Sequence, residues 1–484
     1  MAVRCGRFSG LLAGAAMLAS CGGGDGGSTG AGGSTSASPT PTPTTAAAGC
    51  SLRERQNWAF AQLNEWYLFP ETLPASLDPS GYSTVDDYID ALTATARAQR
   101  KDRYFTYLTS ISSENAYYNS GTTSGGFGIR LGYDTTNRRV GIIEAFEGAP
   151  ALNAGLDRGT EIVAIGTSAD NLRTVSDIIA ASGSQGVVDA LGPDTAGTTR
   201  VLRVNDASGT RNVTLTKADY TLTPVSSRYG AKIITDNGVR VGYVNLRTFI
   251  NTADPGLRSA FQQFRDAGVT NVIVDLRYNG GGLISIAELF TNLLGGGRST
   301  SDVQSYTTFR ASKSSNNETT FFAQQPQTIT PTKIAFIGTG GTASASEYVI
   351  NAMIPYLHAN VALVGSNTYG KPVGQIALDK SQCDDRLRVI AFALQNAARQ
   401  GDYYDGLATK MEASCQAVDD STYPLGDPRE ASTRAALDFI EGRGCTRIGA
   451  TASLERTATP FAQSRQLLSP ERPTTAQRET PGLF

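Results

Sequence analysis

The chain has 484 residues, enough for two to four domains with cores of their own. Apolar residues make up 40% and charged residues 18%, so most of it is globular; 42 Lys plus Arg against 44 Asp plus Glu give no electrostatic reason for a nucleic-acid partner. Histidine occurs once, as His358, which excludes a metal site built on several imidazoles and leaves a Ser-His-Asp hydrolase only that residue to use.

Arg4 and Arg7 precede a short apolar stretch, Leu11 to Leu18, well under the roughly 20 apolar residues that a bilayer span needs. The stretch ends in Leu18-Ala19-Ser20-Cys21, which resembles a bacterial lipobox. That resemblance implies a signal peptide over 1–20, lipid on Cys21 and, with Gly22 following, an outer-membrane anchor facing the periplasm. Residues 21–49 are almost all Gly, Ser, Thr, Ala and Pro, a flexible tether with nothing to bury. Beyond them lie Cys50, Cys383, Cys415 and Cys445, which in an exported chain suggest two disulfides in one of three connectivities. The expected pairing is Cys383–Cys415, closing a local loop, and Cys50–Cys445, joining the two ends of the folded body. The absence of a Cys-x-x-Cys speaks against zinc or redox chemistry, and no metal site is expected.

Residues 50–120 read as helical: Trp58, Phe60, Leu63, Trp66 and Tyr67 recur at roughly helical spacing, and a second helix is expected over 85–97. From 121 to 225 the texture changes to glycines and short β-prone runs. Gly126-Phe127-Gly128-Ile129 leads into a strand, 140–143 is another, and Gly148-Ala149-Pro150 opens a short helix ending in Ala154-Gly155. This arrangement resembles a PDZ domain, in which successive N–H groups of a Gly-Phe-Gly loop hold a peptide C-terminus while the adjacent strand pairs with its backbone. Thr160 stands where such domains usually carry an aspartate.

From 226 to 450 strands and helices alternate, as in an α/β layer fold. Asn237-Gly238 turns into a strand over 239–248, Asp254-Pro255 starts a helix that Gly268 stops, and 272–274 is a buried strand leading to Asp275, Arg277 and Gly280–Gly282. A helix over 284–294 closes at Gly295, and a strand over 334–337 runs into Ser344 at a strand-to-helix corner. A strand over 361–364 precedes Lys371 and Gln375. The Thr-, Arg-, Gln- and Pro-rich residues 451–484 are expected to be a disordered tail.

A serine hydroxyl needs a base, and a lysine can serve if burial holds its amine neutral. Lys371 is one of only eight lysines among the 42 basic residues; an arginine there could not give up its proton. Taken singly, each feature has an ordinary explanation: Ser344-x-x-Glu347 is a capping box, Lys371 a loop lysine, Gly280–Gly282 a tight turn.

Together, VDLRYNGGG over 274–282, GTASASE over 341–347 and TYGKPVGQ over 368–375, following a PDZ-like segment, resemble the C-terminal-processing (tail-specific) serine peptidases. The resemblance implies a multidomain α/β fold with a helical N-terminal region, a PDZ-like β-domain and an α/β serine-protease core. It implies Ser344 as nucleophile, Lys371 as general base and Gln375 as the residue orienting the lysine. The N–H of Ala345 and of Gly280 or Gly281 would form the oxyanion hole. It also implies polypeptide substrates recognised by their C-termini and no cofactor. Two departures stand out: about two extra residues near 355–360, which leave Ser346 as an alternative nucleophile, and Pro372 in place of a glycine after the lysine. The alternatives are a non-catalytic peptide-binding PDZ lipoprotein, or an esterase or amidase for a small acyl substrate.

Overall fold

The structure is a computed structural model that describes residues 47–134, 136–449 and 466–484. Cys21, the signal peptide and nearly all of the expected tether lie outside these residues, as do 450–465. No helix among the described residues is long and apolar enough to cross a membrane.

Residues 226–450 are built on a six-stranded sheet in the order Ala231–Asp236, Val239–Asn245, Asn271–Asp275, Lys333–Gly338, Val361–Gly365, Ala413–Gln416. The first pair is an antiparallel hairpin closed by Asn237-Gly238, and the remaining pairings are parallel. Strands buried on both faces are continuously apolar, and Val272-Ile273-Val274 and Val361–Val364 follow that rule at 0–1% exposure. Helices Ala253–Asp266, Ile284–Leu294 and Ala345–Leu357 share one core with one face of the sheet. Helix Ala431–Ile440 covers the other. In Ala253–Asp266 the buried residues Leu257, Ala260, Phe261 and Phe264 repeat at helical spacing, and Gly268 ends the run at φ +63°. The loops after Asp275, Gly338 and Gly365 all leave from the carboxyl ends of parallel strands, where open α/β sheets place their ligands.

A second sheet joins Tyr107–Ser110, Val373–Lys380, Asp385–Gln395, Val303–Phe309 and Glu318–Phe321. Its Asp385–Gln395 strand packs against helix Leu52–Trp66, so the N-terminal helices are part of the platform for the Lys371 loop. The expected helix over 85–97 is two helices, Val85–Leu92 and Ala94–Ala98, broken where Thr93 leaves helical geometry (φ −95°, ψ 5°) and its hydroxyl bonds the Ile89 carbonyl.

Strands Ile129–Asp134, Arg139–Ala145, Glu161–Gly166, Thr199–Asp206 and Gly209–Thr216 form a third body, packed on helix Val175–Leu191. The outer edge of Ile129–Asp134 is occupied by the tail. Gln466–Leu467 pairs antiparallel with Tyr133 and Gly132, and Phe484 and Ile129 exchange backbone hydrogen bonds. This corrects the expectation of a disordered tail for residues 466–484. Leu468 and Phe484 are buried in the core of the third body, and a capping box of Thr474 and Gln477 starts a short helix, Thr475–Glu479.

The disulfide pairing also differs from expectation. Cys50 bonds Cys383 and Cys415 bonds Cys445, with Cα atoms 5.6 and 5.4 Å apart. Packing explains this: the turn before Asp385 lies against the start of helix Leu52–Trp66, held by the bidentate Arg55–Asp385 pair at 2.5 and 2.6 Å. Cys415 lies within strand Ala413–Gln416 beside the chain at 445, where Gln416 N donates to the Thr446 carbonyl.

Candidate active site

Ser344 sits between strand Lys333–Gly338 and helix Ala345–Leu357 with φ 54° and ψ −115°. A positive φ on a non-glycine residue costs about 1–3 kcal/mol and persists only where the surroundings enforce it. Here Gly281 enforces closeness from the neighbouring loop: a Cβ on it would lie 2.8 Å from the Ser344 Cβ. Asn279 knits the two loops. Its side chain donates to the Leu246 carbonyl at 2.8 Å and accepts from Gly281 N at 3.0 Å, and its carbonyl accepts from Ala343 N at 3.0 Å. The Ser346 hydroxyl, fully buried, also donates to that carbonyl at 3.0 Å, so it is fixed in the scaffold.

Beneath the glycine turn, Asp275 and Arg277 are fully buried and paired at 3.0 Å, with Arg277 forked onto Glu430 at 2.8 and 2.9 Å and the Tyr243 hydroxyl donating to Asp275 at 2.7 Å. Removing one partner of such a set strands a buried charge, which costs about 3–5 kcal/mol. Both residues support the turn from below.

The Lys371 amine donates to Gln375 Oε1 at 2.9 Å and lies 5.1 Å from the centre of the Phe105 ring. Burial pushes its pKa below the ordinary lysine value, while the Glu479 carboxylate pulls the other way. Gln375, at a bulge in strand Val373–Lys380, donates its amide to the Phe105 carbonyl. Asp102 fixes that carbonyl: it accepts from Phe105 N at 2.7 Å, from the Thr106 hydroxyl at 2.7 Å and from the Tyr67 hydroxyl at 2.8 Å. Asp102 and, at the end of helix Leu52–Trp66, Tyr67 thus brace the carbonyl to which Gln375 is bonded. Among the described residues no hydrogen bond joins Lys371 Nζ to Ser344 Oγ.

Glu347 ties serine and lysine together. Its buried carboxylate accepts from Ser344 N at 3.1 Å and Lys371 N at 2.7 Å through one oxygen, and from Thr368 Oγ1 at 2.6 Å and Gly370 N at 2.7 Å through the other. Burial raises its pKa and the four donors oppose that. The sequence reading took Glu347 as half of a helix cap and missed this second attachment.

A cavity of about 1040 Å³ opens over the site, lined by Gly280, Ala343 and Lys371 and, from the tail, by Arg478 and Glu479. The Gly280 N–H donates to the Glu479 carbonyl at 3.0 Å. Of the glycine-loop residues expected to hold a peptide end, Gly128 and Ile129 donate their N–H groups to the Phe484 carbonyl oxygen at 2.9 and 3.1 Å. The Phe127 ring lies in the core of the third body, and Gly126 ends strand Thr122–Gly126. Gly128 has φ +73°, and a Cβ there would overlap the Ala149 Cβ at 2.0 Å.

Residues 240–397 match peptidase family S41 and residues 54–107 match the peptidase S41 N-terminal domain. Over these two segments the chain is similar to peptidase family S41. Among curated S41 relatives, it is 25% identical over 333 residues to carboxyl-terminal-processing peptidase 3 of Arabidopsis thaliana chloroplasts, covering 67% of this chain and 59% of that one. It is 24% identical over 338 residues to carboxy-terminal processing protease CtpA of Bacillus subtilis, covering 67% and 65%. The chain therefore spans less than two thirds of the length of these relatives. A solved putative S41 protease from Bacteroides fragilis shares the fold, with a TM-score of 0.61 at 22% identity, covering 80% of this chain and 97% of that one.

Of the two departures noted in the sequence, only Pro372 adjoins a candidate site residue, Lys371. The residues around 355–360 form the end of helix Ala345–Leu357 and the single 3-10 turn His358–Asn360, where exposed His358 meets Glu412 at 3.0 Å. The Pro372 carbonyl accepts from Leu394 N, inside the sheet that carries Gln375.

Proposed function

We propose that the chain is a serine endopeptidase of the cell envelope. Ser344 attacks the peptide carbonyl while Lys371 takes its proton and returns it to the leaving amine, and water then resolves the acyl-enzyme. Gln375 orients the lysine. The N–H groups of Ala345 and Gly280 stabilise the oxyanion. Gly280 is preferred to Gly281 because its N–H already holds a peptide carbonyl, whereas the Gly281 N–H is engaged by Asn279. The body over 121–225 acts as a PDZ-type module whose Gly126–Ile129 loop receives substrate C-termini. Lipid on Cys21 anchors the enzyme to the outer membrane, facing the periplasm.

The observation that carries this reading is the strained Ser344 corner packed on Gly281, with a half-buried lysine amine held by Gln375 and a single carboxylate, Glu347, bonded to the backbone of both. A helix cap alone requires neither the half-buried lysine nor its orienting glutamine. The test is degradation of an unfolded protein by a soluble form starting after Cys21, compared with Ser344→Ala and Lys371→Ala. Loss of cleavage in both folded variants is expected. Cleavage that survives Ser344→Ala overturns the assignment.

A further inference from the structure

Residues 466–484 do more than cover an edge. Along strand Ile129–Asp134 they supply two short antiparallel pairings: Gln466 and Leu467 at one end, and Gly482 to Phe484 at the other, with Leu131 N donating to the Gly482 carbonyl at 2.8 Å and Phe484 N to the Ile129 carbonyl at 2.9 Å. This is how a peptide adds to an exposed sheet edge. The Phe484 side chain, 3% exposed, shares a core cluster with Ile129, Val175, Ile178 and Ile179, between the strand and helix Val175–Leu191.

Between these pairings the chain crosses the catalytic cleft. The Glu479 carbonyl occupies the Gly280 N–H, and the backbone there is so close that a Cβ on Gly280 would lie 2.1 Å from the Arg478 carbonyl oxygen. The Glu479 side chain is buried, accepting from the Tyr118 hydroxyl at 2.9 Å. Its charge favours the protonated amine of Lys371, the form unable to accept the Ser344 proton. Yet the segment is not laid out as a substrate. Proteolysis needs an extended bond, whereas the N–H following Glu479, that of Thr480, donates back to the Ala476 carbonyl at 2.8 Å, within helical geometry.

We propose that residues 474–484 are a resident ligand of both the peptide groove and the catalytic cleft, displaced when a polypeptide presents a large apolar residue where Phe484 now sits. The inference rests on the peptidase reading for its consequence, and on the groove contacts for its existence. Arg130 makes displacement felt at the catalytic turn: fully buried, it donates to the Pro481 carbonyl at 2.9 Å and also to the carbonyl of Tyr278, two residues before Gly280. Leu483 and Phe484 contribute side-chain burial; most of the other groove contacts are backbone hydrogen bonds, which any incoming peptide reproduces.

The test uses the full chain carrying Gly482→Val. Gly482 has φ +87°, and a Cβ there would lie 2.9 Å from Arg130 Cγ and 3.0 Å from the Leu131 carbonyl oxygen, so valine evicts the tail without removing a core side chain from the bodies it covers. Three results are expected. Hydrogen exchange at Gly128, Ile129 and Leu131 accelerates. A fluorescent Arg-Glu-Thr-Pro-Gly-Leu-Phe peptide binds the variant and not the parent. Cleavage of an unfolded protein rises about tenfold, as for a cleft free in one molecule in ten before the change. Phe484→Ala carries the same test should the valine variant not fold. Equal peptide binding by parent and variant with unchanged exchange overturns the proposal, as does cleavage that falls in a folded variant. Peptide binding gained while neither form cleaves leaves the resident ligand standing and removes the peptidase reading.

Discussion

Glu347→Gln separates a helix cap from a joint between nucleophile and base. The carboxylate accepts four hydrogen bonds in a fully buried site, two on each oxygen. A glutamine keeps one acceptor oxygen and aims its NH₂ at two donors. If it faces Thr368 and Gly370, the Thr368 hydroxyl cannot freely turn to receive it, because that oxygen already accepts from Leu407 N at 2.9 Å. Two charge-assisted bonds of about 1.5–3 kcal/mol each are lost, partly offset by no longer burying a charge. The expected net destabilisation is about 3 kcal/mol, read as a shift of the urea midpoint. A backbone displacement near 1 Å at Ser344 or Lys371 lowers kcat about 100-fold, with KM changed by less than about threefold because the substrate groove is untouched. A glutamine variant whose kcat stays within about threefold of the parent, at normal stability, refutes the idea that this carboxylate holds the two catalytic loops in register.

Three further outcomes follow from the same geometry. Because burial depresses the Lys371 pKa, kcat/KM rises with pH through an ionisation below the ordinary lysine value of 10.5 and is lost on acidification; between the two values the folded state binds fewer protons, so stability also rises with pH there. Glu479→Gln moves that limb to lower pH, and an unmoved limb in a pH–rate profile removes Glu479 as a neighbour that matters. Gly281→Ala drives a methyl toward the Ser344 Cβ at a backbone φ of +123° and lowers kcat about 100-fold; a crystal structure with Ser344 undisplaced and full activity counts against the packing argument. Replacing Cys50 and Cys383 by serine costs up to about 6 kcal/mol on the chain-entropy view of a 333-residue separation, against about 4 kcal/mol for the 30-residue Cys415–Cys445 link; calorimetry showing the reverse order rejects that account.

The strands, the glycine turn and the serine corner were legible because each has a local cause: apolar runs buried on both sheet faces, Gly268 and Gly295 closing helices, and Asn237-Gly238 forming a hairpin. Ser344, Lys371 and Gln375 stood out through motif spacing; Gly280, Ala343 and Lys371, one from each motif, line one cavity, and Gln375 holds the Lys371 amine. What escaped depends on partners far away in sequence. The tail reads as polar because Leu467, Leu468, Leu483 and Phe484 are isolated among Thr, Arg, Gln and Pro, and they acquire order only from an edge strand more than 300 residues upstream. Asp102 gives no sign in the sequence that it braces Phe105 and, through Gln375, the lysine. The cysteine spacing held no record of the hairpin that folds Cys383 onto the first helix.

The cysteine pairing has a consequence for how the protein is made. An emerging chain presents its four bridging cysteines in the order Cys50, Cys383, Cys415, Cys445, and the bridges join the first to the second and the third to the fourth. With Cys21 taken up by the proposed lipid, an oxidase that links each of these four thiols to the next one to appear leaves the native connectivity at once, with no mixed disulfide to reshuffle afterwards. Because the first bridge waits for Cys383, which follows both Ser344 and Lys371 in the chain, the platform under the lysine locks only after both of these residues have emerged.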